Sequence, residues 1–245
     1  MIIILLAAYN EEKDLPQLLA RIRESIAKNH YEYRLFIVND GSTDGTVNVV
    51  KEHMQIMPID FIDFKFNRGV GEAFRVALRQ VLKIAKDSDI IVTMDADNTH
   101  DPNLIKSIVE KIDEGNDIVI TSCYGENGKI TGLSFSRHVL SRSCNLVYRL
   151  LFPIKGVSLY TGFYRGHTAR AFRKTEGIFG DNLIESVGFG AMAELLIKFR
   201  KANLRIAEIP MTLRYDIKIG ISKIKILSTI KEHLTSIFKN IYNNY

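Results

Sequence analysis

Five short apolar runs, at residues 2–8, 35–38, 59–64, 90–94 and 118–121, divide the first half of this chain, with segments of helical character near 14–28, 45–54, 70–86 and 102–113 between them. Runs of this kind suit strands covered on both faces. Strand and helix repeated in this order predict an α/β fold, a mostly parallel sheet flanked by helices. Such sheets bind ligands at the carboxyl ends of their strands, where loops and helix N-termini converge. Three polar clusters fall on that edge: Tyr9-Asn10-Glu11-Glu12, Asn39-Asp40-Gly41-Ser42-Thr43-Asp44-Gly45 and Asp95-Ala96-Asp97-Asn98-Thr99-His100.

A chain of 245 residues with 46% hydrophobic content can bury a substantial core within one α/β domain. Its formal charge of +5 favours phosphate-bearing ligands or an anionic face. No basic tract and no basic patch interleaved with aromatics is present, which argues against nucleic acid. Cys123 and Cys144 lack CxxC or metal-ligand spacing and read as isolated thiols of a reducing compartment. The opening MIIILLAAYNEE reads as a first strand rather than a secretory leader. No apolar run approaches the ~20 residues needed to cross a bilayer. The expected location is therefore cytoplasmic, with any membrane contact peripheral or made through a partner.

From about residue 122 the rhythm loosens. Gly125, Gly128 and Gly132 predict a loop, followed by a helix over 134–151 and a second loop around Tyr160-Thr161-Gly162-Phe163. A helix near 190–202 leads into a strand at 204–209 that Pro210 ends or deforms. In the tail, Ile221, Ile224, Leu227, Ile230, Leu234, Ile237 or Phe238, and Ile241 recur at helical spacing, and five lysines against one glutamate over 217–245 leave a balance of +4. That helix either packs on the protein's own core or lies on an anionic membrane or a partner.

Asp95 and Asp97 follow the apolar run IIVTM. Two positions apart, they point to one side of a continuing strand, and a turn brings them onto one ion. Hard Mg²⁺ or Mn²⁺ accepts carboxylate and phosphate oxygens; an ordinary polar loop is the plainer reading of the same pair. The Asp40-Gly41-Ser42 turn offers carboxylate and backbone groups to a base or ribose, although Ser42, Thr43 or Asp44 equally suits a helix cap. In Asn67-Arg68-Gly69-Val70-Gly71 a glycine turn precedes a helix, so Arg68 or exposed N–H groups can approach phosphate. It is neither GxGxxG nor a phosphate-loop lysine motif, which disfavours a dinucleotide oxidoreductase or P-loop ATPase.

Together YNEE, VNDGSTDG, NRGVGEA and MDADNTHDP occur in an order and spacing that resembles the family 2 glycosyltransferases, closest to the dolichyl-phosphate mannose synthase and polyprenyl-phosphate glycosyltransferase branch. The resemblance implies a GT-A fold, a GDP- or UDP-sugar donor, inversion at the anomeric carbon and Mg²⁺ or Mn²⁺. It divides one domain (1–245) into a donor-binding half (1–121), an acceptor-side half (122–216) and the basic amphipathic segment (217–245). By analogy Ala8, Tyr9 and Glu11 line the nucleotide pocket, Asp40 reads the base or ribose, Asp95 faces the donor, Asp97 ligates the metal, and Thr99 holds the position of a further metal ligand.

On the acceptor side the pattern departs from the family. TSCY places Cys123 where relatives carry an arginine, and Ser158-Leu159-Tyr160-Thr161-Gly162-Phe163-Tyr164 lacks the aspartate and final arginine of D-P-T-S-G-F-R. Arg137 and Ser141 remain where an arginine and serine for the acceptor phosphate are expected. Glu194, Arg214, Lys218 and Lys223 fall in a later segment resembling the family's basic lid, whose positive charge neutralises a leaving diphosphate. The implied reaction is metal-dependent sugar transfer to a polyprenyl (dolichyl-like) phosphate, with a lipid-phosphate partner and peripheral membrane or membrane-protein contact. Transfer to a glycan or small-molecule hydroxyl is the alternative, and that route needs a base, for which Asp181, Glu185 and Glu194 are candidates. A nucleotide-sugar-binding subunit without turnover is the remaining reading. His100 suits either a phosphate contact or a hydrogen bond within its own turn.

Overall fold

The computed structural model describes residues 1–221 and 226–242; Lys223 and Ile224 lie outside them. In chain order the elements are β1 (Ile2–Ala8), α1 (Leu15–Lys28), β2 (Tyr33–Asn39), α2 (Thr46–His53), β3 (Ile59–Asp63), α3 (Val70–Ile84), β4 (Ile90–Asp95), α4 (Leu104–Asp113) and β5 (Ile118–Ser122). There follow β6 (Lys129–Thr131), α5 (Phe135–Leu151), β7 (Arg165–Thr168), α6 (Ala169–Phe179), α7 (Ala191–Lys201), β8 (Ile206–Pro210), β9 (Thr212–Arg214) and α8 (Ile226–Tyr242).

Seven strands form one sheet in the order β3-β2-β1-β4-β7-β5-β8, and β6 and β9 form a separate parallel pair. β1 lies at the centre of the first block because Ile3, Ile4, Leu5 and Leu6 are apolar on both faces and fully buried. Burying each such side chain contributes roughly 1.5–3 kcal/mol. Parallel pairing sets Ala8 beside Asn39 of β2 and Ala7 beside Asp95 of β4, so the three polar clusters emerge in register on one edge.

The expected α/β architecture is present, with one addition. β7 runs antiparallel between β4 and β5, joining β3-β2-β1-β4 to β5-β8. Its sequence Arg-Gly-His-Thr shows no strand pattern, and its burial follows from position. A Cβ on Gly166 would lie 2.0 Å from a methyl of Ile108 on α4, so glycine is what lets the helix seat on this strand. Arg165 is fully buried and donates to the carbonyl oxygens of Met192 and Tyr160, tying α7 to the 158–164 loop.

Of the tail, α8 packs on α7 and turns His233, Ser236 and Ile237 inward while Leu227, Leu234 and Phe238 stay exposed. No helix among the described residues is long and apolar enough to cross a membrane.

Candidate active site

The first two polar loops are stitched together by side chains. The Asn10 N–H donates to Ser42 Oγ (2.9 Å), the Thr43 N–H to Asn10 Oδ1 (2.7 Å), the Glu11 N–H to Thr46 Oγ1 (2.8 Å) and the Gly45 N–H to Glu12 Oε2 (2.7 Å). Asp44 takes the Thr46 N–H and hydroxyl at the first turn of α2, while Ser42 is spent on the neighbouring loop instead of capping the helix. These bonds hold Glu11 at the end of β1, facing the end of β4.

Beyond β4 the chain turns through Asn98 in the left-handed region (φ 61°), a conformation asparagine tolerates better than most residues. Arg21 fixes that turn through Asn98 Oδ1 (2.7 Å) and Asp101 (3.3 Å). Thr99 donates both its N–H (3.2 Å) and its hydroxyl (2.6 Å) to Asp97 Oδ1. Thr99 therefore orients the aspartate. The other Asp97 oxygen accepts from Lys218 Nζ at 2.6 Å, and the same ammonium lies 4.0 Å from Glu11 Oε1. Burial raises the Asp97 pKa, but Lys218 and His100 more than offset it and hold the carboxyl below the usual range. At Asp95 burial and the Asp97 charge prevail, and the carboxyl is pushed up to about 8.

His100 Nδ1 accepts the Asp95 N–H (3.3 Å), so Nε2 carries the proton and points at Asp95 Oδ2, 3.7 Å away. Burial pulls its pKa down to about 4, which keeps the ring neutral. Its face rests against Tyr164, whose hydroxyl donates to the Asp101 carbonyl. Tyr164 thus supports the aspartate turn.

A cation fits this donor set. The carboxylates of Asp97 and Glu11 already share a buried ammonium, and an ammonium and a hard divalent ion seek the same oxygens. Asp97 and Glu11 would hold such an ion, with Asp95 beside them. Among the described residues, His, Cys, Asp and Glu alone do not form a three-membered metal cluster.

Asp95 and His100 also line a chamber of about 380 Å³ walled mainly by Leu140, Leu159, Met192, Met211, Ile230 and Ile237. Arg137 and Ser141, on the first two turns of α5, and Tyr215 lie on its wall with them. Cys123 lines it as a neutral thiol, its pKa pushed up to about 12 by burial. Ser158 does not reach the chamber; its N–H and hydroxyl bind Glu208 of β8.

The other expected site residues are engaged within the protein. Asp40 does not lie open to a base: both oxygens take backbone N–H groups, Arg68 at 2.7 Å and Gly69 at 3.0 Å. The Gly71 N–H goes to the Val187 carbonyl, so the start of α3 has its donors engaged within the protein rather than offered to phosphate. The Arg68 guanidinium lies over the Phe64 ring, 4.5 Å from its centroid. Arg214 turns outward to Asp216 (2.7 Å), leaving its backbone N–H on Thr99 as its link to the site. Glu194 is buried in an ion pair with Lys198 and accepts the N–H groups of Glu185 and Ser186, a structural role. Glu185 faces Lys198 and Lys239, and Asp181 is an exposed partner of Arg79, so none of the three expected bases lines the chamber.

The model for Glycosyl transferase family 2 matches residues 3–176. The chain belongs to that family. By sequence it is similar to the dolichol-phosphate mannosyltransferase of Pyrococcus furiosus, 30% identical over 238 residues, spanning 96% of this chain but only 62% of that protein. It is also 25% identical over 223 residues to the polyprenol monophosphomannose synthase of Mycolicibacterium smegmatis, covering 90% and 80% of the two chains. By fold it is similar to glucosyl-3-phosphoglycerate synthase from Mycobacterium tuberculosis. The complex of that enzyme with Mn²⁺ and UDP-glucose superimposes with a TM-score of 0.68 at 18% identity, over 98% of this chain and 78% of the other. A complex with Mn²⁺, UDP and phosphoglyceric acid gives 0.67 at 18%, over 98% and 77%.

The family placement and the GT-A-like fold agree with expectation, and the manganese in those complexes agrees with the expected divalent cation. The polyprenyl-phosphate acceptor does not. Complexes of glucosyl-3-phosphoglycerate synthase hold phosphoglyceric acid or glycerol 3-phosphate, small phosphate-bearing molecules, beside UDP or UDP-glucose. Arg137 and Ser141 suit a phosphate group whatever it is attached to, which is why they misdirected the reading of the acceptor.

Proposed function

We propose that this chain transfers a sugar, with a divalent metal, from a nucleoside-diphosphate donor to a hydroxyl of a small phosphate-bearing acceptor. The observation that carries this reading is the cation held 2.6 Å from Asp97 at the end of β4, beside a chamber that Asp95, Arg137 and Ser141 line. The likeness in sequence to mannosyltransferases and in fold to a synthase held with Mn²⁺ and UDP-glucose supports it. Magnesium or manganese, when bound, neutralises charge gathering on a leaving diphosphate.

The remaining work falls to the chain. Thr99 keeps Asp97 oriented, and Lys218 adds positive charge where the diphosphate departs. Arg137 and Ser141 bind the acceptor phosphate through charge-assisted hydrogen bonds. Asp95 carries the one carboxyl group among the described residues that lines the chamber, with His100 Nε2 3.7 Å away; once ionised, above about pH 8 or with its pKa lowered by a bound cation, it takes the proton of the acceptor hydroxyl.

The test is incubation with a panel of UDP- and GDP-sugars, Mn²⁺, and phosphoglycerate or glycerol 3-phosphate, followed by mass analysis of products and assay of released nucleoside diphosphate. Asp97→Ala is expected to lose metal-dependent donor binding, and Asp95→Asn to keep it while losing transfer. Absence of transfer and of donor hydrolysis in folded protein, with Asp97→Ala binding donors like the parent, would refute the proposal.

A further inference from the structure

Asp14 stands at the N-cap of α1 without capping it. Fully buried, it accepts instead the N–H groups of Ile219 and Gly220, one on each carboxylate oxygen, both at 2.8 Å. That clamp fixes the strap of residues 215–220, which is also pinned where the Arg214 N–H meets the Thr99 carbonyl at 3.0 Å. Between the two anchors Lys218 extends inward until its ammonium, 9% exposed, touches Asp97 and approaches Glu11.

An ammonium in that place uses the carboxylates that a divalent ion needs, and two cations cannot share them at contact distance. Withdrawing Lys218 alone would leave a buried charge without its partner, which is strongly unfavourable. A nucleoside diphosphate changes the balance, since its oxygens offer the ammonium a new anionic partner as the metal enters.

We infer that Asp14 is a positioning residue: through the strap it holds Lys218 as a tethered cation on Asp97 and Glu11, so that metal and nucleoside diphosphate bind together and each promotes the other. The inference rests on the donor-site reading above. Its coupling is reciprocal, as any linkage between two ligands must be.

Mn²⁺ binding, followed by the electron paramagnetic resonance of the free ion with and without UDP, tests this in the full chain. UDP is expected to tighten Mn²⁺ binding by roughly tenfold or more in the parent. Lys218→Met should bind Mn²⁺ alone roughly tenfold tighter and lose most of the UDP effect. Asp14→Asn should shift in the same direction with Lys218 intact. Charge alone gives the opposite sign there, since the substitution removes a negative group near a cation site. The double variant should bind no tighter than Lys218→Met, because both changes act through one contact. Melting curves confirm folding, and should Asp14→Asn fail to fold, Lys218→Met decides. Unchanged Mn²⁺ affinity in Lys218→Met, or weaker binding in folded Asp14→Asn, would overturn the inference. If instead Asp97→Ala leaves Mn²⁺ binding intact in the presence of UDP, the donor-site reading itself falls.

Discussion

At the scale of single residues, burial decides protonation. His167 has no solvent exposure, holds the Ile91 carbonyl at 3.3 Å and packs between Phe172 and Phe199, and burial pulls its pKa down to about 3. Above pH 6.5 it is neutral folded or unfolded. Below that the unfolded chain gains a proton that the folded chain refuses, so stability falls with pH, by about 1.4 kcal/mol per unit. Denaturant unfolding should accordingly show a loss of about 2 kcal/mol from this group between pH 7 and pH 5, and His167→Gln should flatten the slope. Gly41 is constrained differently: its φ is +71° and a Cβ would sit 2.3 Å from the Phe66 backbone, where the loop after β2 abuts the loop after β3. Gly41→Ala should cost on the order of 2–3 kcal/mol or more and weaken UDP binding, measurable by calorimetry. Asp95 and Asp97 stood out in the sequence because they follow an apolar run directly and share the strand-end edge with two other polar clusters. Asp14 was not, since a helix-start aspartate looks like a cap and its partners lie more than two hundred positions away. For Glu194 the spacing to Lys198, one turn on, allowed a local ion pair, but not that both would be buried together with the Glu185 and Ser186 N–H groups on the carboxylate.

Helices and strands add a second layer of legibility. β1 to β5 and α1 to α4 announce themselves through periodicity, and α5, α7 and β8 fall close to their expected spans. β7 did not, because four residues carry no period and its antiparallel place depends on strands formed far away in the chain. α6 was missed with it. In the function proposed above, α5 serves the acceptor side, since its first turns bring Arg137 and Ser141 to the chamber wall. A charged hydrogen bond to phosphate is worth about 1.5–3 kcal/mol, so Arg137→Ala should raise KM for the acceptor roughly 10- to 100-fold while calorimetric UDP affinity stays the same. An equal loss in both would place Arg137 on the donor instead.

For the molecule as a whole, a formal charge of +5 would meet, in the proposed reaction, a doubly negative donor. Apparent donor affinity should therefore weaken as salt rises from 50 to about 300 mM, the range over which screening shortens steeply; titration of UDP at several ionic strengths checks it. The sheet order carries a different consequence, one of timing. Strand β4 leaves the ribosome early, yet its neighbour β7 ends at residue 168, so the open edge Ile90–Asp95 waits for some seventy further residues. At ordinary synthesis speeds that is roughly 4–15 seconds during which an apolar strand edge stands unpaired. Nascent chains stalled between residues 121 and 165 should be sticky and bind chaperones, whereas release after residue 168 should let the edge close.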